Sequence, residues 1–388
     1  MPMLENLIPA EKITAHPSVR VGVEFDGHEG WGQTPGLESE PESFNEFLED
    51  AGIDPTGIEV IPPVRTSRWQ QQKDGELVWL TSYRFQFRRK SSGIDLPLLA
   101  REAENKVKKP KKAKRADTAL VILWSDLQVG KVDLHGGFPE LYQRVSDTHD
   151  KLVEIVERDK PSKVIFVDLG DTVENFDNKA SAQQLQTNDL SIMEQVDLAT
   201  TLAWKTLQAM AERVPDVTYA SVGSNHCQWR RNGQQVGKAT DDWGVFIGRQ
   251  LARLASETKA TNIRFVEPQP LDESLALDVF GDGYHILGVV HGHQARNSAS
   301  VGEWWKKQVF GNQPVAASTI LCHGHFHHLR VTEMGSTPDG NSRFLVGAPT
   351  LDNGSNWWRK ISGDQAPPGL ACFTVSKGQP WTGTVWKL

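Results

Sequence analysis

Cysteine is scarce in this chain of 388 residues, which carries only Cys227, Cys322 and Cys372. Three scattered cysteines can form neither a disulfide framework nor a cysteine-type zinc site, and they fit a reducing compartment. Long apolar runs are missing too, because no stretch of about 18 apolar residues occurs. The first residues, MPMLENLIPAEKI, lack the basic start and apolar core of a signal peptide. We therefore expect a cytoplasmic protein that does not span a membrane.

The charges are unevenly distributed along the chain. The formal net charge of −7 argues against a general nucleic-acid coat. Residues 21–64 contain 11 acidic residues and no Lys or Arg, whereas residues 65–115 contain 15 Lys or Arg against 5 acidic residues. A run of like charges that contains a proline does not bury itself. We therefore interpret residues 106–117, which include KKPKKAKR, as a basic flexible linker that could also contact a phosphate backbone.

The segment before this linker, residues 1–105, has the pattern of a small α+β module. PESFNEFLEDAGIDP predicts a short helix, and IEVIPPVRTSRWQ and LVWLTSYRFQFRRK predict two strands. The basic, aromatic end of the second strand, RFQFRRK, could bind nucleic acid. An alternating aromatic strand is more often simply a half-buried strand of a sheet.

Residues 118–388 have the pattern of a layered α/β domain. Five short apolar runs end abruptly in Asp, Asn, His or Gly: ALVILWSDLQVG, KVIFVDLGDTVEN, VTYASVGSNHCQW, YHILGVVHGHQ and STILCHGHFHH. Helical periodicity is found in residues 141–159, 190–214 and 240–257, and Asp282-Gly283 predicts a hairpin turn. Buried strands that alternate with helices indicate sheets packed inside the domain. In such folds, ligands bind at the carboxyl ends of the strands.

The polar residues at the predicted strand ends have the chemistry of metal ligands. They are Asp126, Gln128, Asp171, Asn225, His226, His291, His325 and His327. Oxygen and imidazole ligands without thiolate suit Mn²⁺, Fe²⁺ or Zn²⁺. Eight such residues exceed the needs of one four-coordinate ion, so with Asp171 bridging they could serve two. Two neighbouring ions can stabilise the attacking and leaving oxygens of phosphoryl transfer.

Five blocks occur in a fixed order within residues 118–330. They are Asp126-Leu-Gln128, Gly170-Asp171 followed by Glu174-Asn175, Gly223-Ser-Asn225-His226, His291, and Gly324-His325-Phe-His327. This order resembles the calcineurin-like metallophosphoesterases, whose pattern is Asp-x-His, Gly-Asp, Gly-Asn-His-Asp/Glu, a single His and Gly-His-x-His. Any one block would be a weak signal, and the ordered set is specific. The resemblance implies a four-layer α/β/β/α sandwich that binds two divalent ions.

The resemblance also implies a role for each strand-end residue. The first ion would be held by Asp126, Gln128, Asp171 and His327, and the second by Asp171, Asn225, His291 and His325. A hydroxide that bridges the two ions would attack phosphorus in line. His226 would protonate the leaving oxygen or stabilise the phosphoryl charge, and Glu174 would orient the His226 imidazole.

The sequence departs from the family pattern in three places. Gln128 stands where the family has a histidine, and its neutral amide oxygen is a weaker ligand, so we expect a looser first site with a preference for Mn²⁺. Ser224 is inserted in the third block, and Cys227 replaces the acid that usually follows the histidine, so Glu174 would orient His226 alone or with help from Asp168. His293 could replace His291.

The substrate is indicated by cations and tryptophans near these blocks. Lys131, Arg230 and Arg231 could steer a polyanion towards the metals. The Trp pairs in residues 302–313 and 352–364 suit either stacking on bases or packing as amphipathic lids or domain contacts. A small module before a phosphoesterase resembles bacteriophage-encoded phosphoesterases, and the coiled coil and capping domain of SbcD-type repair nucleases are missing.

These patterns predict a two-metal phosphoesterase, with Mn²⁺ as the favoured ion, that cleaves phosphodiester bonds of nucleic acid. A phosphatase for nucleotides or phosphoproteins is the alternative enzyme. A nucleic-acid-binding protein with a degenerate metal site is the alternative from another class, and the loss of histidine at position 128 favours it.

Overall fold

The computed structural model describes residues 22–25, 29–73, 76–89, 101, 105–111, 114–176, 188–231, 234–363 and 366–388. The chain divides into two compact units, Met1–Ser91 and Ser92–Leu388, called here the N-terminal and C-terminal units. Within the predicted linker, the backbone N–H groups of Val107 and Lys108 donate to the Thr258 carbonyl and to Oε1 of Glu212. These residues of the expected linker are therefore hydrogen-bonded to the rest of the C-terminal unit.

In its described residues, the N-terminal unit is an antiparallel sheet with one α-helix. Its strands are β1 (Gly22–Phe25), β2 (Glu29–Gln33), β3 (Ile58–Lys73) and β4 (Glu76–Arg89), in the order β1-β2-β4-β3, and its helix is α1 (Asn45–Asp50). Alternate residues of β4, Phe85 and Phe87, are buried with Leu48 of α1. The predicted helix and both predicted strands are confirmed. Gly30 and Gly32 of β2 leave room for the two Phe rings, which a Cβ atom at either position would overlap.

Two sheets form the centre of the C-terminal unit, and β8 (Arg230–Arg231) pairs with β9 (Gln234–Gln235) in a separate two-stranded sheet. The first has the order β10-β7-β6-β5-β16-β17 and contains β5 (Ala116–Trp124), β6 (Pro161–Asp168), β7 (Asp216–Ser221), β10 (Ile263–Val266), β16 (Ala371–Ser376) and β17 (Trp386–Lys387). The second has the order β11-β12-β13-β15-β14 and contains β11 (Ser274–Asp278), β12 (Ile286–Val290), β13 (Ile320–His323), β14 (Arg330–Ser336) and β15 (Ser342–Gly347). The strands β10, β7, β6 and β5 are parallel, as are β12, β13 and β15. The antiparallel pair β11–β12 is the predicted hairpin.

Five α-helices lie in the described part of the C-terminal unit: α2 (Phe138–Asp159), α3 (Ile192–Arg213), α4 (Trp243–Glu257), α5 (Val301–Phe310) and α6 (Asn356–Ser362). The three helices predicted from sequence periodicity are α2, α3 and α4. The Ser191 hydroxyl and Asp242 carboxylate accept backbone N–H bonds at the starts of α3 and α4, which explains where both helices begin.

The packing follows the two-residue period of the strands. Leu120, Ile122 and Trp124 of β5 pack in one core with α2, α3 and α4. The intervening residues of β5, such as Val121, pack in a second core with Val289 of β12 and other residues of the second sheet. The opposite face of the second sheet packs on α5 through Trp305. The fold is therefore mixed α/β, as the sequence predicts.

Strand register brings several polar loops to one edge of each sheet. Trp124 at the end of β5 pairs with Asp168 at the end of β6, and Asp168 pairs with Ser221 at the end of β7. In the second sheet, Val290 at the end of β12 pairs with His323 at the end of β13. The candidate ligands follow these aligned ends within a few residues. Among the helices that the structure describes, none is long and apolar enough to cross a membrane.

Candidate metal centre

Four of the predicted ligands converge at the strand ends. One ligand atom from each of Asp171, His291 and His325 lies within 4.8 Å of the others. The Asn225 side-chain oxygen is 2.9 Å from Nε2 of His291. The four residues expected to hold the second ion are thus together. His293 points its Nε2 towards Oε2 of Glu273, 3.6 Å away.

His291 is buried at the centre of this cluster. Its Nδ1 is 2.7 Å from the Leu169 carbonyl oxygen, which only accepts hydrogen bonds, so Nδ1 carries a proton. Its Nε2 faces Oδ2 of Asp171 at 3.0 Å and Oδ1 of Asn225 at 2.9 Å. A neutral ring would point three electron-rich atoms at one another, so a proton or a cation must lie among them. Metal-binding histidines are commonly fixed by such a bond from the other ring nitrogen.

The two histidines of the cluster differ in protonation. Burial by itself lowers the pKa of His291, but the Asp171 carboxylate raises that pKa to about 9. Burial and the neighbouring His291 lower the pKa of His325 to about 3. His325 is therefore neutral and keeps a ring lone pair for a ligand, whereas a metal at His291 must displace a proton.

Asp171 supplies the buried carboxylate of the cluster. Its Oδ1 accepts a 2.8 Å hydrogen bond from the backbone N–H of His226. Its Oδ2 accepts no well-directed hydrogen bond from the described residues, although Nε2 of His291 is 3.0 Å away. Burial by itself would raise the pKa of Asp171, but the imidazoles of His291 and His226 hold that pKa well below its usual range. An ionised oxygen buried in this way is stabilised by a neighbouring cation, either the His291 imidazolium or a metal ion.

The unusual third block has a structural reason. The hydroxyl of Ser224, the inserted residue, accepts a 2.7 Å hydrogen bond from the backbone N–H of Asp171. Cys227 is buried, and burial raises the pKa of its thiol well above the usual value, so the side chain is a neutral part of the core. Neither function was evident from the sequence.

Asp126, which was expected to bind the first ion, has a carboxylate surrounded by hydrogen bonds. Its Oδ2 accepts from the backbone N–H of His325 at 2.9 Å and from the Ser125 hydroxyl. Its Oδ1 is 3.3 Å from Nε2 of His327. The Asp171 carboxylate likewise accepts one backbone N–H bond and faces one imidazole, but no hydroxyl bond to its Oδ2 is found among the described residues.

Gln128 and Lys131 form a buried pair beside Asp126. The Lys131 ammonium donates to Oε1 of Gln128 at 2.5 Å and to Oδ2 of Asp352 at 2.8 Å. The same Asp352 oxygen is 3.4 Å from Nδ1 of His327. Burial by itself lowers the pKa of Lys131, but the carboxylates of Asp352 and Glu174 raise it, so the ammonium is charged. The donor atom of Gln128 is thus already bound to a cation, and the expected first site does not fit a second metal ion as arranged.

The positions of Lys131 and Asp352 differ from what the sequence predicted. Lys131 was expected to steer substrate, but its side chain is only 10% exposed and is engaged inside the site. Asp352 was not predicted. Its signal was available, because the run FLVGAPTLDN after β15 also passes from apolar residues to Asp and Asn.

Backbone strain concentrates at these strand ends. Six of the nine non-glycine residues with positive φ in the described chain are Asp126 (50°), Gln128 (45°), Asp171 (49°), Asn175 (63°), His325 (70°) and His327 (60°). Such conformations cost of order 1–3 kcal/mol each and persist where the surroundings over-determine them. Here the N–H groups of Asp126 and Gln128 donate to the carbonyls of Gly170 and Asp171. Strain of this kind clusters at functional sites.

His226 and Glu174 form an ion pair next to the cluster. Nδ1 of His226 lies 3.2 Å from Oε2 of Glu174, and Nε2 lies 3.9 Å from Oδ2 of Asp171. Burial by itself lowers the pKa of His226, but Asp171 and Glu174 raise that pKa to about 9. The imidazolium is 19% exposed, so it reaches solvent. Asp168, which was expected to help orient His226, accepts hydrogen bonds from the Gly170 N–H and from the hydroxyls of Thr172 and Tyr219.

The remaining predicted residues lie around this centre. Arg230 donates to Oε1 of Gln228 at 2.8 Å, whereas Arg231 is exposed. Trp305 is a core residue whose Nε1–H donates to the Val315 carbonyl, so it is neither a lid nor a stacking surface. Trp358 is 39% exposed and lines a shallow depression together with His327.

No protein-family model matches this chain, and a comparison with curated proteins found no significant match. The geometry of the strand-end residues is therefore the basis for its proposed function.

Proposed function

We propose that this chain is a metal-dependent phosphoesterase that hydrolyses phosphodiester bonds of nucleic acid, built on the four-layer sandwich of the calcineurin-like metallophosphoesterases. The observation that carries the proposal is the convergence of Asp171, His291 and His325 within 4.8 Å. The sheet-on-sheet core, with α2–α4 on one side and α5 on the other, is compatible with that sandwich.

Asp171, Asn225, His291 and His325 would hold the ion. Two oxygens and two ring nitrogens form a donor set that suits Mn²⁺, Fe²⁺ or Zn²⁺. A divalent ion there would supply Lewis-acid activation of a phosphoryl oxygen and of a water molecule. The position of Oδ2 of Asp171, 3.0 Å from Nε2 of His291, and the fixed ring of His291 support this assignment.

The proton-transfer role falls to His226. Its Nδ1 faces the Glu174 carboxylate, which fixes the orientation of the ring. Its Nε2–H would then donate to a leaving oxygen, or stabilise charge on a phosphoryl group. Because the pKa of His226 is about 9, the ring is a proton donor at neutral pH.

Exposed aromatic and cationic side chains favour nucleic acid over a small phosphomonoester. Trp229, three residues after His226, is 55% exposed, and Arg231 is exposed close by in the chain. Trp358 lines the depression beside His327. Aromatic faces next to cations stack unpaired bases and hold the phosphate backbone.

The test compares bis-p-nitrophenyl phosphate with p-nitrophenyl phosphate after metal removal and Mn²⁺ resupply. We expect Mn²⁺-dependent diester cleavage that falls by about 10²–10⁴-fold in His226→Ala, the usual contribution of an acid catalyst. His149→Asn is the matched control, because His149 contacts Thr206 between α2 and α3. A preference for the monoester would favour the phosphatase alternative.

One observation favours the binding alternative, namely that the Gln128 oxygen is already engaged by Lys131. If Mn²⁺ binds and neither ester nor single-stranded DNA is cleaved, the phosphoesterase proposal fails. Fluorescence anisotropy with a labelled oligonucleotide would then measure whether the chain binds nucleic acid.

A further inference from the structure

The two halves of the proposed metal centre treat their donor atoms differently. In the half around Asp171, Oδ2 accepts no well-directed hydrogen bond from the described residues. In the half around Asp126, Oδ2 accepts from Ser125 and from the His325 N–H, and Oδ1 faces His327. Each carboxylate thus accepts a backbone N–H bond and faces one imidazole, and the halves differ in that the Asp126 half also contains the Ser125 hydroxyl and a buried ammonium.

The positive charge in the Asp126 half is the Lys131 ammonium. It contacts Oε1 of Gln128 at 2.5 Å and Oδ2 of Asp352 at 2.8 Å, and it is almost fully buried. Asp352 in turn reaches His327, which faces Asp126. The ammonium therefore connects Gln128 to Asp352, and Asp352 connects through His327 to Asp126.

Several contacts hold Lys131 in this position. Its backbone N–H donates to the Gln128 carbonyl, which closes a tight turn that folds the side chain back over Gln128. Its carbonyl accepts a 2.6 Å hydrogen bond from Nδ2 of Asn353, the neighbour of Asp352. The pair is therefore fixed from both the backbone and the side chain.

The residue type at position 128 fits this arrangement. An amide oxygen accepts a hydrogen bond from an ammonium without carrying charge or a competing proton. An imidazole at the same place would offer a single lone pair that favours a metal ion. Gln128 and Lys131 are thus complementary to each other.

We infer that the Lys131 ammonium stands in place of one metal ion, so that this chain binds a single divalent cation, held by Asp171, Asn225, His291 and His325. The inference rests on the metal centre of the proposed function and changes its stoichiometry from two ions to one. A divalent ion on Gln128 would lie next to a fixed like charge, which opposes its binding.

The test is the number of Mn²⁺ ions bound per chain, measured by equilibrium dialysis and elemental analysis on protein stripped with a chelator. We expect one ion in the wild type and in Lys131→Arg, which keeps the charge. We expect two ions in the double variant Gln128→His/Lys131→Ala, with circular dichroism confirming that this variant is folded. Electron paramagnetic resonance should show isolated Mn²⁺ in the wild type and exchange-coupled Mn²⁺ in the double variant.

Each result has a distinct meaning. Two ions in the wild type overturn the inference and leave the proposed phosphoesterase intact. No ion in the wild type removes the metal centre itself and with it the proposed function. A folded double variant that still binds one ion also overturns the inference, because removal of the ammonium should open the second site. If the double variant does not fold, the wild-type stoichiometry and its resonance spectrum decide.

Discussion

Replacing His291 by asparagine removes one ligand atom and retains a buried hydrogen bond. The amide of an asparagine can donate to the Leu169 carbonyl, as Nδ1 of His291 does at 2.7 Å. The ring nitrogen that faces Asp171 and Asn225 is lost. The variant therefore tests metal binding with little change to the packing around Leu169.

The expected magnitude follows from ligand linkage. At a free Mn²⁺ concentration of about 100 times the Kd, wild-type binding raises the free energy of unfolding by about 2.7 kcal/mol. Loss of groups that merely support a ligand weakens metal binding by about 10–100-fold. Loss of the ligand itself should cost at least about 100-fold, so the gain in His291→Asn falls to about 0.4 kcal/mol at the same Mn²⁺ concentration.

Urea unfolding with and without Mn²⁺ measures this gain in each variant, and titration calorimetry measures the Kd directly. His293→Asn is the matched control, because Nε2 of His293 faces Glu273 at 3.6 Å and is outside the ligand cluster. We expect it to retain the full gain. A full gain in His291→Asn, or its loss in His293→Asn, would refute the assignment of His291.

Three further predictions concern the surroundings of the site. Asp168 is buried, and burial raises its pKa to about 6 from 3.8, so the folded protein holds this proton more tightly than the unfolded chain does. In metal-free protein, the contribution of Asp168 to the free energy of unfolding should therefore fall by about 3 kcal/mol as the pH rises from about 4 to 6. Urea unfolding of the wild type and Asp168→Asn across this pH range should show that loss as a change in the difference between the two proteins. Glu174→Gln should lower the pKa of His226, so the alkaline limb of the pH–rate profile for diester cleavage should move down by about one pH unit. An unchanged limb would show that Glu174 does not control the protonation of His226. Gly324→Ala would place a Cβ against Asp126 and Ser125 and should lower the free energy of unfolding by about 1–3 kcal/mol, while Gly57→Ala, which meets open space, should change it little.

The parts of the site that could be predicted are those set by local pattern. Asp126 and Asp171 follow neighbouring parallel strands of the first sheet, so their proximity follows from the sheet. His291 follows a strand of the second sheet, and the packing of the two sheets brings it to Asp171. The α/β class follows from the same alternation of strands and helices.

The parts that could not be predicted depend on long-range contacts. Lys131 reads as a surface cation until Asp352, which is 221 residues away, is placed beside it. Ser224 reads as a motif defect until its hydroxyl meets the Asp171 N–H. Trp304 and Trp305 are adjacent, and the sequence does not indicate which of the two is buried more deeply. Trp305 is buried because α5 packs on the second sheet.

The predicted linker, residues 106–117, also makes contacts that its sequence did not indicate. Its like charges predict a solvated linker, yet the N–H groups of Val107 and Lys108 have partners in the C-terminal unit. Backbone groups bond independently of side-chain charge, so the charge pattern did not reveal these contacts.

The most direct test of the metal centre is anomalous diffraction from crystals of the full chain grown with Mn²⁺. The geometry predicts one anomalous peak at bonding distance from Asp171, Asn225, His291 and His325, and none between Gln128 and Asp126. A map without a peak at those four residues, at a Mn²⁺ concentration that saturates the protein in solution, would contradict the account.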